Sequence, residues 1–533
     1  MSSFSNNKIY TPIIIAMVFI VGLSVGRHYL SPNSIGSVSS KSKLHRIINY
    51  IERDYVDTID IVKMETSAIE DLIKNLDPHS AYIKPAEYHN YVDPLRGNFE
   101  GIGIQFRMIR DSLTVMLPLP GGPSEKAGLL AGDKIVMVEN DTIAGKKLNT
   151  NDITKKIKGE KGSLVHLKIH RTHTDSLLSF DVYRDVIPTY SLDAHFMIND
   201  SLGYIKISKF SATTIEEFNQ AISDLLEKNM TQLILDLRGN SGGYLNAAIT
   251  MSDAFIAKDE LIVYTDGHNR PEKKYYAKGH GDFENQKLII LINENSASAS
   301  EIVAGAVQDN DRGTIVGRRS FGKGLVQEQL DFSDGSALRL TVARYYTPTG
   351  RSIQRSYEEG NIAYYADHYH QMLTGENPQN DSIKIPDSLI FTTPKGKTVY
   401  GGGGILPDVV IPFDTNINYS FYNQIVRKSI ISELAIDYFN QYKEDLKIYK
   451  DVKDFDTHFK LSKKQYKQIT QYAEQQEIKS PKETIEQSKN LILNLYKAEI
   501  ARLLFHNHGY YYIVLQEDPS YIKSVALMDS VEE

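Results

Sequence analysis

Cysteine is absent from all 533 residues. Its absence excludes a disulfide framework, a thiol nucleophile, thiolate metal sites and lipid attachment at cysteine. A surplus of positive charge is also missing. There are 60 Lys and Arg against 67 Asp and Glu, a formal net charge of -7 with a pI near 6.1. Nothing in that balance supplies the basic footprint of a nucleic-acid partner, and none is expected. No His-Glu-x-x-His sequence occurs, so the zinc-peptidase signature is lacking and neither a metal nor another cofactor is expected. What is present is an ordinary globular composition, 41% hydrophobic and 24% charged. The chain is too long for one compact core, so about two to four domains are expected.

The N-terminus departs from this average. After Lys8 comes an uncharged stretch, Ile9 to Gly26, closed by Arg27 and His28. As a helix it would span roughly 27 Å at about 1.5 Å per residue, close to the hydrocarbon thickness of a bilayer. Residues 1–30 therefore read as a membrane anchor, and residues 31–43, rich in Ser and Gly, as a tether. A cleaved signal peptide is the rival reading, with the small residues Ser24-Val25-Gly26 near a cleavage point but no clear Ala-x-Ala pattern. Either way the body is expected to be exported. Lys8 before and Arg27 after the stretch leave its orientation open.

Beyond the tether the texture changes three times. Residues 44–96 read as a helical region: Leu44, Ile47, Ile48 and Ile51 fall at helical spacing, as do Ala68, Ile69, Leu72, Ile73 and Leu76, up to Asp77-Pro78. From 97 to 172 short β runs such as Lys134–Val138 and Leu164–Ile169 alternate with glycines and two short helices, Ser124–Leu129 and Thr150–Ile157. From 186 to 413 strands and helices alternate, as in Leu202–Ile207, Thr214–Glu227, Gln232–Leu237, Lys287–Asn293 and Ala299–Gln308, which argues an α/β core. Residues 415–533 lose glycine and carry a helical stripe, Ile492, Leu495, Tyr496, Ile500 and Leu503, so a mainly helical region is expected there.

Three turns of the α/β segment bear on chemistry. Asp236-Leu237-Arg238-Gly239-Asn240-Ser241-Gly242-Gly243 follows a buried strand; its glycines would let backbone N–H groups face a ligand, though a tight turn without function reads equally well. It lacks the Gly-Lys-Ser/Thr of a nucleotide loop. In Ser296-Ala297-Ser298-Ala299-Ser300-Glu301, a serine at a helix start would meet free N–H groups, or would merely cap the helix with Glu301. Local pattern leaves the three serines equivalent. Lys323 lies between Gly322 and Gly324 in the third turn; a solvated loop lysine is the bland alternative.

Taken in order, these turns resemble the carboxyl-terminal processing peptidases, the tail-specific proteases of the S41 serine peptidase family. The resemblance covers roughly residues 45 to 413, through Leu76-Asp77-Pro78-His79-Ser80, Phe99-Glu100-Gly101-Ile102-Gly103, the three turns, Tyr345-Tyr346-Thr347-Pro348-Thr349-Gly350-Arg351 and Gly403-Gly404-Ile405-Leu406-Pro407-Asp408. It implies a multidomain α+β protein: an α/β (crotonase/ClpP-like) serine peptidase core with N-terminal helices, a PDZ domain at 97–172 and the helical C-terminal region. It further implies Ser298 as nucleophile, Lys323 as base, Gln327 as its orienter, and the N–H groups of Gly242 and Ala299 as an oxyanion hole. Ser241 stands where relatives often carry proline. Gly101, Ile102, Gly103 and Ile104 of the PDZ domain would hold a substrate's free C-terminal carboxylate.

Free lysine titrates near 10.4, so a lysine base needs burial to bring it to about 7–8. His79, His195, His268 and His280 sit in no compelling motif and read as surface or core residues. The expected function is an endopeptidase acting near the C-termini of envelope proteins, at the bacterial inner membrane with its body in the periplasm, or exported if the N-terminal segment is cleaved. A homodimer or an adaptor lipoprotein is a conceivable partner. The alternative is a catalytically silent, membrane-tethered PDZ peptide-binding protein.

Overall fold

The computed structural model describes residues 16–19, 43–172, 174–279, 281, 283–374, 386–414 and 416–530. The expected anchor and tether lie outside these residues, apart from 16–19 and Lys43, as does His280. Among the described residues no helix is long and apolar enough to cross a membrane. The chain divides into two units, Met1–Leu76 and Asp77–Glu533. The first holds α1 (Lys43–Asp54) and α2 (Ile61–Lys74), and α2 starts where the Asp60 carboxylate accepts the Lys63 N–H at 3.0 Å.

In the second unit, β1 (Ala81–Ile83), α3 (Tyr88–Arg96) and β2 (Asn98–Gly101) lead into a β domain. Its strands are β3 (Ile104–Ile109), β4 (Ser112–Pro118), β5 (Lys134–Val138), β6 (Asp141–Thr142), β7 (Leu164–His170) and β8 (Leu178–Tyr183), in the order β3-β4-β5-β7-β8 with β6 on β5. Helices α4 (Pro123–Ala127) and α5 (Thr150–Ile157) pack on it around Ile102, Leu113, Val115, Ile135, Ile153 and Val165. The sheet runs on to Tyr183, past the expected boundary at 172, because β8 pairs along β7 from Leu164 to Ile169.

The return strand β9 (Asp185–Pro188) pairs with β2 and delivers the chain to the core. There β10 (Leu192–Met197), β11 (Leu202–Ile207), α6 (Thr214–Leu226), β12 (Gln232–Asp236), α7 (Leu245–Asp253), the hairpin β13 (Leu261–Gly267) and β14 (Arg270–Tyr276), β15 (Lys287–Ile292), α8 (Ala299–Asp309) and β16 (Thr314–Gly317) follow. A second hairpin, β17 (Leu325–Asp331) and β18 (Ala337–Tyr346), then α9 (Asn361–Thr374), β19 (Ile390–Thr392), β20 (Thr398–Tyr400) and β21 (Val409–Val410) complete it. The central sheet has the order β10-β11-β12-β15-β16-β21, parallel except for β10.

Successive side chains of these strands face opposite ways and are buried on both sides. Ile205, Ile207, Leu235 and Ile290 pack under α6, α7 and α8. Tyr204, Ile234, Ile289 and Leu291 pack under the C-terminal region, through Leu515, Tyr521 and Met528. That region comprises α10 (Ser420–Arg427), α11 (Ile430–Gln441), α12 (Lys443–Leu446), α13 (Val452–His458), α14 (Lys463–Gln475), α15 (Lys482–Gln487), the kinked α16 (Lys489–Val514) and α17 (Pro519–Asp529). It supplies the third layer of the α/β sandwich.

Candidate active site

β12 and β15 are parallel neighbours, so the turns at their C-terminal ends emerge side by side, where open α/β sheets place their sites. Hydrogen bonds stitch the turns together. The Gly239 N–H donates to Asn293 Oδ1, and the Ala297 N–H to Asn240 O, each at 2.9 Å. Ser296 and Ser300 are fully buried, and their hydroxyls donate to Leu237 O and Asn240 O, each at 2.9 Å. These two serines are fasteners. Ser298 remains, part-exposed at the start of α8, with φ 55° and ψ -112°. A non-glycine residue held there stores strain of about 1–3 kcal/mol, as nucleophiles on strand-to-helix turns do.

Glu301, in the first turn of α8, fixes the third turn to the second. Its buried carboxylate accepts the N–H groups of Ser298 (2.8 Å), Gly322 (2.7 Å) and Lys323 (2.9 Å) and the Ser320 hydroxyl (2.5 Å). Burial pushes this carboxyl up, and the four donors pull it back. The Tyr345 hydroxyl on β18 lies 2.7 Å from Lys323 O and 3.1 Å from Ser298 O, close enough to donate to either. Of the capping pattern, the Glu301 half is in place, its carboxylate on the Ser298 N–H, and the same carboxylate carries the lysine turn.

Lys323 Nζ donates to Gln327 Oε1 at 2.8 Å, and Gln327 Nε2 donates to the His79 carbonyl at 2.7 Å. Burial, then the positive charge of Arg339, brings Lys323 down from 10.5 to about 8, against the pull of Asp77 and Glu301. Among the described residues no hydrogen bond joins Lys323 Nζ to Ser298 Oγ. His79, read from sequence as a surface or core residue, lines the cleft beside Lys323. Its Nε2 is 2.9 Å from the Tyr364 hydroxyl, and burial with the Lys323 charge lowers it to about 4. The Asp77 carboxylate shapes this approach by accepting the N–H groups of His79 and Ser80, each at 2.8 Å. The cleft, of about 500 Å³, is also lined by Phe321, Tyr365 and His368, and the Phe321 and His368 rings meet edge-on at 4.6 Å. His195 instead pairs with Asp224 at 3.1 Å between β10 and α6, and His268 is exposed in the β13–β14 turn.

Of the two expected oxyanion donors, the Ala299 N–H makes no hydrogen bond among the described residues. The Gly242 N–H donates to Asn240 Oδ1 at 2.9 Å, with Gly242 at φ 101°. A Cβ on Gly242 would lie 2.8 Å from Ser298 Cβ and 3.1 Å from Ala299 N, so only glycine lets the two turns approach this closely. Among the described residues no group of His, Asp or Glu could hold a metal ion.

In the β domain, β3 is an edge strand that pairs with β4 alone among the described residues, so its other edge is available to an added strand. Gly103 has φ 72°, and the Ile102 carbonyl is held by the Ser124 N–H (3.0 Å) and hydroxyl (2.7 Å). Gly101 bridges to Lys158 at the end of α5, and Ile102 and Ile104 are buried beside Ile157.

Comparison with known proteins identifies the family. Residues 201–363 match the model of peptidase family S41, residues 101–182 that of the PDZ domain, and residues 421–506 a family of unknown function. A carboxy-terminal-processing protease of Bartonella bacilliformis is 38% identical over 313 residues, 58% of this chain and 71% of that protein. The carboxy-terminal processing protease CtpB of Bacillus subtilis is 35% identical over 327 residues, 60% and 67%. The chain belongs to peptidase family S41. It is a serine protease of the carboxy-terminal processing type with a PDZ domain. A solved photosystem II D1 C-terminal processing protease matches this S41 peptidase at 27% identity over 58% of its chain and 89% of the other, with a TM-score of 0.33.

Proposed function

We infer that this S41 peptidase cleaves polypeptides near their free C-termini through a Ser298–Lys323 dyad. The observation that carries the reading is the Glu301 carboxylate, which holds the Ser298 and Lys323 backbones in one frame. Lys323, neutral in a useful fraction of molecules, takes the Ser298 proton as Oγ attacks the scissile carbonyl. The resulting ammonium protonates the leaving amine, and Lys323 then activates the water that hydrolyses the acyl-enzyme. Gln327, locked by the His79 carbonyl, keeps Nζ on its line. The Ala299 N–H offers one oxyanion donor. The Gly242 N–H becomes the second when substrate replaces Asn240 Oδ1, a change glycine permits.

The free edge of β3 and the Gly101–Ile104 loop support capture of the substrate tail by strand addition. The uncharged run Ile9–Gly26 supports an envelope location for the enzyme. Purified full-length protein is expected to cut an unstructured polypeptide such as casein. Ser298→Ala and Lys323→Ala are expected to lower the rate at least about 10³-fold while remaining folded, in line with loss of a nucleophile or base. A folded wild-type protein that binds free C-termini but hydrolyses nothing would leave only the peptide-binding reading.

A further inference from the structure

The C-terminal region reaches the catalytic turn directly. Arg238 lies four residues before Gly242, and its neighbour Gly239 lines the cleft. One edge of its guanidinium grips Asp236, with Nη2 2.6 Å from Oδ2 and Nε 3.1 Å from both oxygens. Its remaining nitrogen, Nη1, donates to both carboxylate oxygens of Asp518, at 2.8 and 2.7 Å. Its carbonyl accepts the Lys206 ammonium. Asp518 is the N-cap of α17, where Oδ1 also takes the Tyr521 N–H at 2.8 Å. Tyr521 lies in turn against Tyr204, whose hydroxyl donates to Asp236 at 2.8 Å. The start of α17 thus closes a ring of charge-assisted contacts around the first residues of the turn that presents Gly242.

We propose that Asp518 is a positioning residue for catalysis, setting the oxyanion turn through Arg238. The inference rests on the Ser298–Lys323 reading. A turn that must trade the Asn240 Oδ1 contact of Gly242 for a substrate oxyanion has to pivot on something fixed, and Arg238 is the fixed point just ahead of it. Asp236 orients one edge of the guanidinium from within the core. Asp518 orients the other from the C-terminal layer, so the site is incomplete without the start of α17. This gives that region a part in the chemistry in addition to covering the sheet.

The test uses the whole chain with Asp518→Asn and Asp518→Ser. Both replacements keep a side-chain cap for α17. Asn loses the negative charge, and Ser is too short to span the gap. On a short peptide substrate kcat is expected to fall about tenfold or more, part of the 10²–10³ typical of a lost oxyanion donor, with KM little changed. The affinity for a peptide aldehyde, whose hemiacetal oxyanion needs the same donors, should fall by a similar factor. Folded variants with wild-type kcat and wild-type aldehyde affinity would overturn the proposal, as would a loss confined to KM. Ser298→Ala serves as the separate control. If it leaves the wild-type rate intact, the dyad reading itself fails, whatever Asp518 does.

Discussion

Lys323 bears the cost of the chemistry assigned to it. Holding an ammonium that titrates at about 8 instead of 10.5 costs the fold about 3 kcal/mol at neutral pH, from about 1.4 kcal/mol per unit. Lys323→Met removes that cost and forfeits the bond to Gln327, worth about 1 kcal/mol. The variant is therefore expected to be inactive yet more stable by about 1–2 kcal/mol in chemical denaturation at pH 7. Between about pH 8 and 10.5 the unfolded wild type binds the extra proton, so its stability rises with pH and the gap to Lys323→Met closes. A gap that persists unchanged at pH 10.5 would contradict the buried-ammonium account.

Glu301→Gln tests the frame: an amide NH2 would face N–H donors, and a loss of about 3 kcal/mol or more is expected together with activity. At this scale the sequence left Ser296, Ser298 and Ser300 equal. What separates them is that Ser296 and Ser300 bond to carbonyls of a turn about 60 residues away in the chain, which local pattern cannot show. His79 was within reach, since Leu76-Asp77-Pro78-His79-Ser80 was among the family motifs. Its place at the cleft comes from partners distant in the chain, Gln327 on its carbonyl and Tyr364 at its ring.

Elements with a clear apolar pattern were legible: Thr150–Ile157, with Ile153 and Ile157 on one helical face, and the continuous buried run Leu202–Ile207 fold over the expected spans. The hairpins β13–β14 and β17–β18 were not, because strands such as Leu325–Asp331 mix apolar and polar residues without alternation and expose Leu330 beside Glu328, Gln329 and Asp331. Nor was the break in α16, where Phe505 and His506 leave helical geometry and His506 takes φ 57°, ψ -153°. That conformation suits glycine alone. His506 is exposed, so His506→Gly is expected to raise stability by about 1 kcal/mol in urea denaturation. Gly509→Ala should lower it by about 2 kcal/mol or more, because its Cβ would meet the Ala501 carbonyl at 2.4 Å. If neither variant shifts the midpoint, the break is not a fixed feature.

For the molecule as a whole, the C-terminal region joins the other two parts. On one side Arg107 contacts Ser432 and Glu499, and Arg110 pairs with Glu433 at 3.1 Å, all from the PDZ strand β3 and its turn. On the other side Tyr511 donates to Asp193 at 2.7 Å, and α17 covers β15 and β16. The helical stripe at Ile492–Leu503 announced helices; their role as a third layer rests on Leu515, Tyr521 and Met528, which lie beyond that stripe. A chain ending at residue 414 would bare Tyr204, Ile289 and Leu291 and is expected to be insoluble, while a soluble, fully active truncation would contradict both this packing and the Asp518 proposal. Substrates with a free C-terminus should be cut faster than the same peptides amidated, since the PDZ edge favours a carboxylate.

The central claim is that a neutral lysine, Lys323, activates Ser298. It is tested most directly by kcat/KM for one free-C-terminus peptide measured from pH 5 to 10, beside Ser298→Ala and Lys323→Ala. The base must be unprotonated, so the account predicts about a tenfold rise per pH unit up to an inflexion at about 8 and a plateau above it, with both variants near background. A rate already level by about pH 6, or a Lys323→Ala enzyme with near-wild-type turnover, would show that another group, His79 foremost, does the work.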